Sequence, residues 1–137
     1  MKNLVVDAKE ELLDEVIDFI VSDLEEADCP MPIEMKIRLS VEELFVNIAK
    51  YAYSDRSEGG KAEIQIEMVP DPRKVMITFI DSGIEYNPLA KTDPDVTLKV
   101  EDREIGGLGI FLVKKCMDDV RYEYKDGKNV LTIEKCF

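Results

Sequence analysis

The chain has 137 residues and contains no histidine and no tryptophan. Histidine is the commonest general base and a frequent metal ligand, so its absence excludes hydrolase triads in which histidine activates serine or cysteine. Any proton transfer must use carboxylates, lysine or tyrosine. Only three cysteines occur, Cys29, Cys116 and Cys136, and they are far apart in sequence. Neither a disulfide framework nor a zinc site is therefore expected.

Positive charge is also scarce, because 18 lysines and arginines face 30 acidic residues, which gives a net charge of −12. Such a chain would repel the phosphates of DNA, RNA and anionic lipids. Its apolar runs are too short to cross a membrane, and residues 1–7 lack a signal-peptide pattern. We therefore expect no nucleic-acid partner, no membrane partner and a cytoplasmic location. The length predicts a single domain over residues 1–137.

The order of periodic segments predicts the fold class. Alternating and helical apolar spacings are separated by Pro and Gly punctuation. The polar stretch that runs up to residue 105, broken by Pro88 and Pro94, is typical of a lid. The predicted order is strand 4–6, helix 9–27, helix 33–53, strands 61–69 and 74–80, helix 110–117, and strands 120–124 and 129–136 around an Asp-Gly turn. This order predicts an α+β sandwich with helices on one face of a mixed, mostly antiparallel sheet.

The second helix carries a narrow polar stripe beside its apolar face. Glu43 and Asn47 are four residues apart, so their side chains lie one above the other, whereas Glu42 points more than a quarter-turn away. Asn47 can supply an oxygen ligand for Mg²⁺, and Glu43 can orient or deprotonate a nucleophile. When such a pair stands alone, it is more often part of a solvated helix face.

Two further motifs follow in an order that suits a nucleotide site. Asp81, at a strand end, can accept a hydrogen bond from an exocyclic amine, while Gly83 lets a flat ring approach the backbone. The glycines of segment 106–109 precede a helix, where free amides and the helix dipole favour phosphates. Taken singly, the first motif is more often a turn and the second a hinge. Together with Asn47 they predict a site for a nucleotide.

These three segments resemble the nucleotide-binding boxes of the GHKL superfamily, which has the Bergerat ATP-binding fold. Segments 40–53, 81–88 and 105–120 are most similar to its stand-alone branch, the anti-sigma factor serine/threonine kinases of the RsbW and SpoIIAB type. The resemblance spans almost the whole chain. Two positions depart from the pattern, since Glu85 replaces the second glycine of the aspartate box and Tyr51 replaces a histidine common after the asparagine.

The resemblance implies a role for each matching residue. Asn47 would bind the Mg²⁺ that bridges the phosphates of ATP, and Glu43 would be the general base. Asp81 would hold the adenine amine, with Gly83 beneath the ring. The remaining residues would also contact ATP: the amides of Gly106, Gly107, Leu108 and Gly109 and the side chain of Lys50 at the phosphates, Arg103 at the γ-phosphate, and Thr132 at adenine through water. An exposed lid charge is the alternative for Arg103.

The resemblance also implies a function. The chain would be an ATP-dependent serine/threonine protein kinase that sequesters a sigma factor and phosphorylates an antagonist with a STAS domain, switching between these partners. Homodimers are common in the family. The alternative is a nucleotide-sensing module that captures a protein partner without transferring phosphate. A histidine autokinase is excluded, because the chain has no histidine to phosphorylate.

Overall fold

The computed structural model describes residues 1–90 and 108–137. Its strands and helices are β1 (Lys2–Asp7), α1 (Leu13–Glu26), α2 (Met31–Asn47), β2 (Lys61–Pro70), β3 (Arg73–Asp81), α3 (Leu108–Cys116), β4 (Asp119–Lys125) and β5 (Lys128–Cys136). Two short 3₁₀ turns lie at Glu10–Leu12 and Pro88–Ala90, and a π-helical segment, Ile48–Ala52, continues α2. Most of the expected lid, residues 91–105, lies outside the described residues.

The five strands form one sheet in the order β1-β2-β3-β5-β4, and each neighbouring pair is antiparallel. The α+β sandwich is confirmed, but the sheet is not mixed, since none of the described pairings is parallel. The two helices α1 and α2 return the chain to the end of β1, where Asp7 pairs with Lys61 at the start of β2. Strands β4 and β5 follow α3 in the chain. In the sheet, β5 lies between β3 and β4, which run in the same direction.

The core lies between the helices and one face of the sheet. Strand alternation sends every second side chain toward the helices, so Val75, Ile77, Phe79 and Asp81 of β3 are all buried. Asp81 therefore ends a row of core side chains. The other large members are Val16, Ile20, Leu24, Ile37, Val41, Leu44, Phe45, Ile64, Ile66, Ile110, Val113, Met117, Leu131 and Ile133.

Two local predictions about turns and helix ends have different outcomes. The Asp126-Gly127 hairpin is present, with φ of 55° and 76° at its two residues, as a tight two-residue turn requires. The second helix begins at Met31 rather than near residue 33, because a proline is tolerated in the first helical turn and Pro32 occupies it.

Among the helices formed by residues 1–90 and 108–137, none is both long and apolar enough to cross a membrane.

Candidate functional site

A cavity of about 530 Å³ opens between the end of α2 and the adjoining ends of β3 and β5. This is the size of a small-ligand pocket. Its described walls are mostly apolar, and Tyr51, Ile84 and Tyr86 are exposed at it. The lining residues are Leu44, Asn47, Ile48, Tyr51, Ala52, Ser54, Phe79, Asp81, Ile84, Glu85, Tyr86, Pro88, Tyr122, Asn129 and Leu131. Asn47 and Asp81 thus share one cavity, although 33 residues separate them in sequence.

Asp81 is a buried carboxylate with one oxygen committed to the protein. Its Oδ1 accepts hydrogen bonds from the Gly83 backbone N–H and from Asn129 Nδ2, both at 2.9 Å. Among the described residues, none donates to Oδ2, which leaves that oxygen as an acceptor for a ligand in the cavity. Burial raises the pKa of Asp81, and the two donated hydrogen bonds oppose that rise.

Asn47 is the last residue of α2, and its half-buried side chain lines the cavity. A side-chain amide oxygen is a hard donor of the kind that Mg²⁺ accepts, and Mg²⁺ needs few protein ligands when it is bound together with phosphates and water. Among the described residues, no group of three or more acidic or cysteine side chains could hold a metal by itself. The donor set therefore fits a metal that arrives with a nucleotide.

Glu43 lies one helical turn before Asn47 and contacts the start of α3. A β-carbon on Gly109 would overlap Glu43 Oε2, so the carboxylate rests directly against this glycine. Glu42 is exposed on another side of the helix. The first and third sequence motifs are therefore brought together at Glu43 and Gly109, in the first turn of α3.

Other residues of the third motif are outside the described part of the chain. These are Arg103, Gly106 and Gly107, and Leu108 is described only as the first residue of α3. Their predicted contacts with phosphates stay predictions.

Gly83 contacts a helix end rather than an open face of the cavity. A β-carbon at this position would overlap the backbone carbonyl of Ala52, and the N–H of the next residue, Ile84, donates to that carbonyl at 2.8 Å. The π-helical turn at Ile48–Ala52 carries this carbonyl. Gly83 is thus needed for the close approach of two backbones, and it is not among the residues that line the cavity.

Lys50 and Thr132 do not reach the cavity. Lys50 Nζ lies 3.7 Å from Glu10 Oε1, and both side chains are about half exposed. The hydroxyl of Thr132 lies 3.2 Å from that of Thr78, its cross-strand neighbour on the sheet face away from the helices. Strand alternation explains the position of Thr132, because its two neighbours, Leu131 and Ile133, point into the core.

The residue that sequence reasoning missed is Asn129, which is 7% exposed and lies on the cavity face of β5. The apolar residues Leu131 and Ile133 follow it at every second position along the strand. The same alternation that excludes Thr132 therefore places Asn129 on the inner face, and this was the available signal.

Residues 6–135 match the family described as the histidine kinase-like ATPase domain. Over 99 residues the chain is 29% identical to the serine-protein kinase RsbW of Listeria monocytogenes, with 69% of this chain and 61% of that protein covered. Over 97 residues it is 28% identical to the serine/threonine-protein kinase BtrW of Bordetella bronchiseptica, with 71% and 66% covered. The chain thus spans less than two thirds of the length of these relatives.

Among solved structures, that of the RsbU and RsbW domains of Rv1364c from Mycobacterium tuberculosis is similar, with a TM-score of 0.64 and 16% sequence identity. The match covers 99% of this chain and 32% of that one. At this identity the likeness supports the fold.

Proposed function

Because the chain belongs to the family of histidine kinase-like ATPase domains, we propose that it transfers the γ-phosphate of ATP to a serine or threonine hydroxyl of a partner protein. The observation that supports this most directly is the shared cavity of Asn47 and Asp81, with Glu43 one turn away against Gly109. In this proposal Asp81 would accept from the base, Asn47 would ligate the metal and Glu43 would be the general base.

The base would enter the apolar end of the cavity. Asp81 Oδ2 would accept a hydrogen bond from the exocyclic amine of adenine, because Oδ1 is already occupied by Gly83 and Asn129. Apolar walls favour a flat aromatic ring, and an acceptor selects adenine over guanine, whose oxygen at the same position would be repelled.

The phosphates would extend toward the start of α3. Asn47 would hold the Mg²⁺ that accompanies ATP, and the metal would supply neutralisation of phosphate charge. The amides of the first α3 turn would donate to phosphate oxygens. Glu43 would accept the proton of the attacking hydroxyl. Its carboxylate is in contact with Gly109, in the same turn as those amides.

The partners would be a sigma factor and an antagonist with a STAS domain, used alternately. This rests on the similarity to relatives named RsbW and BtrW, and it extends from them to this chain as a proposal. We also propose a cytoplasmic location, where ATP and sigma factors meet, and a homodimer. The edge strand β1 carries a side chain, Val5, that is 56% exposed and available for contact with a second copy.

The alternative is a module that binds ATP and captures a protein partner without phosphoryl transfer. One experiment separates the two. The purified chain is mixed with Mg²⁺, γ-labelled ATP and the STAS-domain protein encoded nearest to its gene, and label on a serine or threonine is sought. Labelled partner supports the kinase. ATP binding with no label on the partner, unchanged by Glu43→Gln, would favour the module, and no ATP binding would refute both.

A further inference from the structure

Asn129 lies at the centre of the hydrogen bonds that surround the base end of the cavity. Its Nδ2 donates to Asp81 Oδ1 at 2.9 Å and to the Ile84 carbonyl at 2.8 Å. Its Oδ1 accepts from the Tyr86 backbone N–H at 3.0 Å and from the Tyr122 hydroxyl at 2.5 Å. A side-chain amide has two donors and two lone pairs, so each of these four capacities is filled by the protein.

The orientation of this amide is fixed by its partners. A backbone N–H can only donate and a backbone carbonyl can only accept, so Tyr86 must face the oxygen and Ile84 must face the nitrogen. The nitrogen is therefore the atom that meets Asp81. A network in which every group is satisfied is rigid, because rotation of the amide would set its oxygen against acceptors and its nitrogen against a donor.

The first consequence concerns Asp81. Asn129 and the Gly83 amide both donate to Oδ1, so the carboxylate is held in one rotamer, with Oδ2 as the acceptor left for the ligand. The second consequence concerns the cavity wall. The same amide binds the backbone at Ile84 and Tyr86, which both line the cavity. One side chain therefore fixes the acceptor and the wall that faces it.

We propose that Asn129 is the positioning residue for recognition of the exocyclic amine of the base, acting through Asp81 and without a bond of its own to the base. This inference rests on the proposed ATP site. Since one donor of Asn129 holds Asp81, its removal should weaken ligands that use Asp81 more than ligands that do not. A residue that merely supported the fold would affect all nucleotides equally.

The test compares two nucleotides that differ by one group. ATP and purine riboside triphosphate are alike except that the second lacks the 6-amine, and their Kd values are measured by calorimetry with Mg²⁺ for the wild type and for Asn129→Ala. The wild type should prefer ATP by about tenfold or more, the size of a hydrogen bond to a charged acceptor. Asn129→Ala should reduce that preference to less than about threefold, mainly by raising the Kd for ATP.

Controls keep a folding defect apart from the proposed effect. Asn129→Asp retains the oxygen that accepts from Tyr86 and Tyr122 but loses the donors, so it should also lose the preference for ATP. Val130→Ala, on the same strand and the opposite face, should leave the preference for ATP unchanged. Equal weakening of the two nucleotides in both Asn129 variants would overturn the inference. Wild-type protein that binds neither nucleotide would instead refute the proposed function.

Discussion

Gly109 lies against the carboxylate of Glu43, so close that a β-carbon at position 109 would overlap Glu43 Oε2. The two residues are 66 positions apart in sequence and belong to different helices, α2 and α3, which pack on one another. The glycine therefore leaves room for the carboxylate at the start of α3. This contact links the candidate general base to the helix end that would bind phosphate.

Replacing Glu43 by Gln should abolish transfer while leaving nucleotide binding nearly intact. The amide keeps the size of the side chain but cannot accept the proton of a hydroxyl, and loss of a general base costs about 10²- to 10⁴-fold in rate. Phosphorylation rate and ATP affinity are measured in parallel. Glu42→Gln is the matched control and should change neither, because Glu42 is exposed. Equal losses in the two variants would contradict the assignment of the base to Glu43.

Gly109→Ala should slow transfer without unfolding the protein. The added methyl group meets the far end of a flexible side chain, so Glu43 can move aside, and the free energy of unfolding should change by less than about 0.5 kcal/mol. A displaced base should lower the rate about tenfold or more. In the double variant with Glu43→Gln, Gly109→Ala should cause no further loss. A further loss of similar size would show that Gly109 acts independently of Glu43.

Gly83→Ala should have the opposite outcome, a loss of stability. Here the added methyl group meets the backbone carbonyl of Ala52, which cannot rotate away. Overpacking of this kind costs about 1–3 kcal/mol, which urea unfolding would measure as a lower midpoint with unchanged slope. Gly59→Ala is a useful comparison, since its φ of 68° disfavours alanine but its surroundings are open. A Gly83 variant as stable as wild type would refute the close contact with Ala52.

The sequence predicted those parts of the fold that local periodicity specifies. The phase of α2 placed Glu43 and Asn47 on one side and Glu42 on another, and strand alternation placed Asp81 at the end of a buried row. The resemblance to GHKL proteins is confirmed at the level of the family. Contacts between distant segments were not predictable in this way, because no local pattern records them.

Three particular places in the chain show why. The π-helical turn at Ile48–Ala52 consists of ordinary helix-forming residues, and its wide geometry is accompanied by a hydrogen bond from Ile84, 32 residues beyond Ala52. Asn129 resembles any polar residue after a turn until β5 is paired with β3 and brings it to Asp81. The resemblance implied a contact of Thr132 with adenine through water, whereas strand alternation places its side chain on the outer face, opposite Thr78.

Asn47→Ala should remove the dependence of nucleotide affinity on Mg²⁺. Wild-type protein should bind ATP more tightly with Mg²⁺ than with EDTA, because Asn47, which lines the cavity, would supply a ligand oxygen to the metal. In the variant the two Kd values should agree within about twofold, since the proposed ligand oxygen is removed. Calorimetry in both buffers measures this, and an unchanged Mg²⁺ effect would exclude Asn47 as the ligand.

Asp81→Asn should weaken ATP binding and stabilise the ligand-free protein at neutral pH. Asparagine keeps an oxygen that can accept from Gly83 and Asn129 but presents an amide NH₂ group to the base, so ATP affinity should fall about tenfold to a hundredfold.

The effect on stability follows from the pKa of Asp81. Burial raises this pKa, so ionisation of the carboxyl group opposes folding. That cost is absent below the unfolded pKa of about 3.9 and appears as pH rises through the folded pKa. The variant should therefore be more stable than wild type at pH 7, with the difference shrinking as the pH is lowered toward 4, as urea unfolding at several pH values would measure. A variant that is less stable than wild type at pH 7 would contradict this account, because it would mean that the ionised carboxylate stabilises the empty cavity.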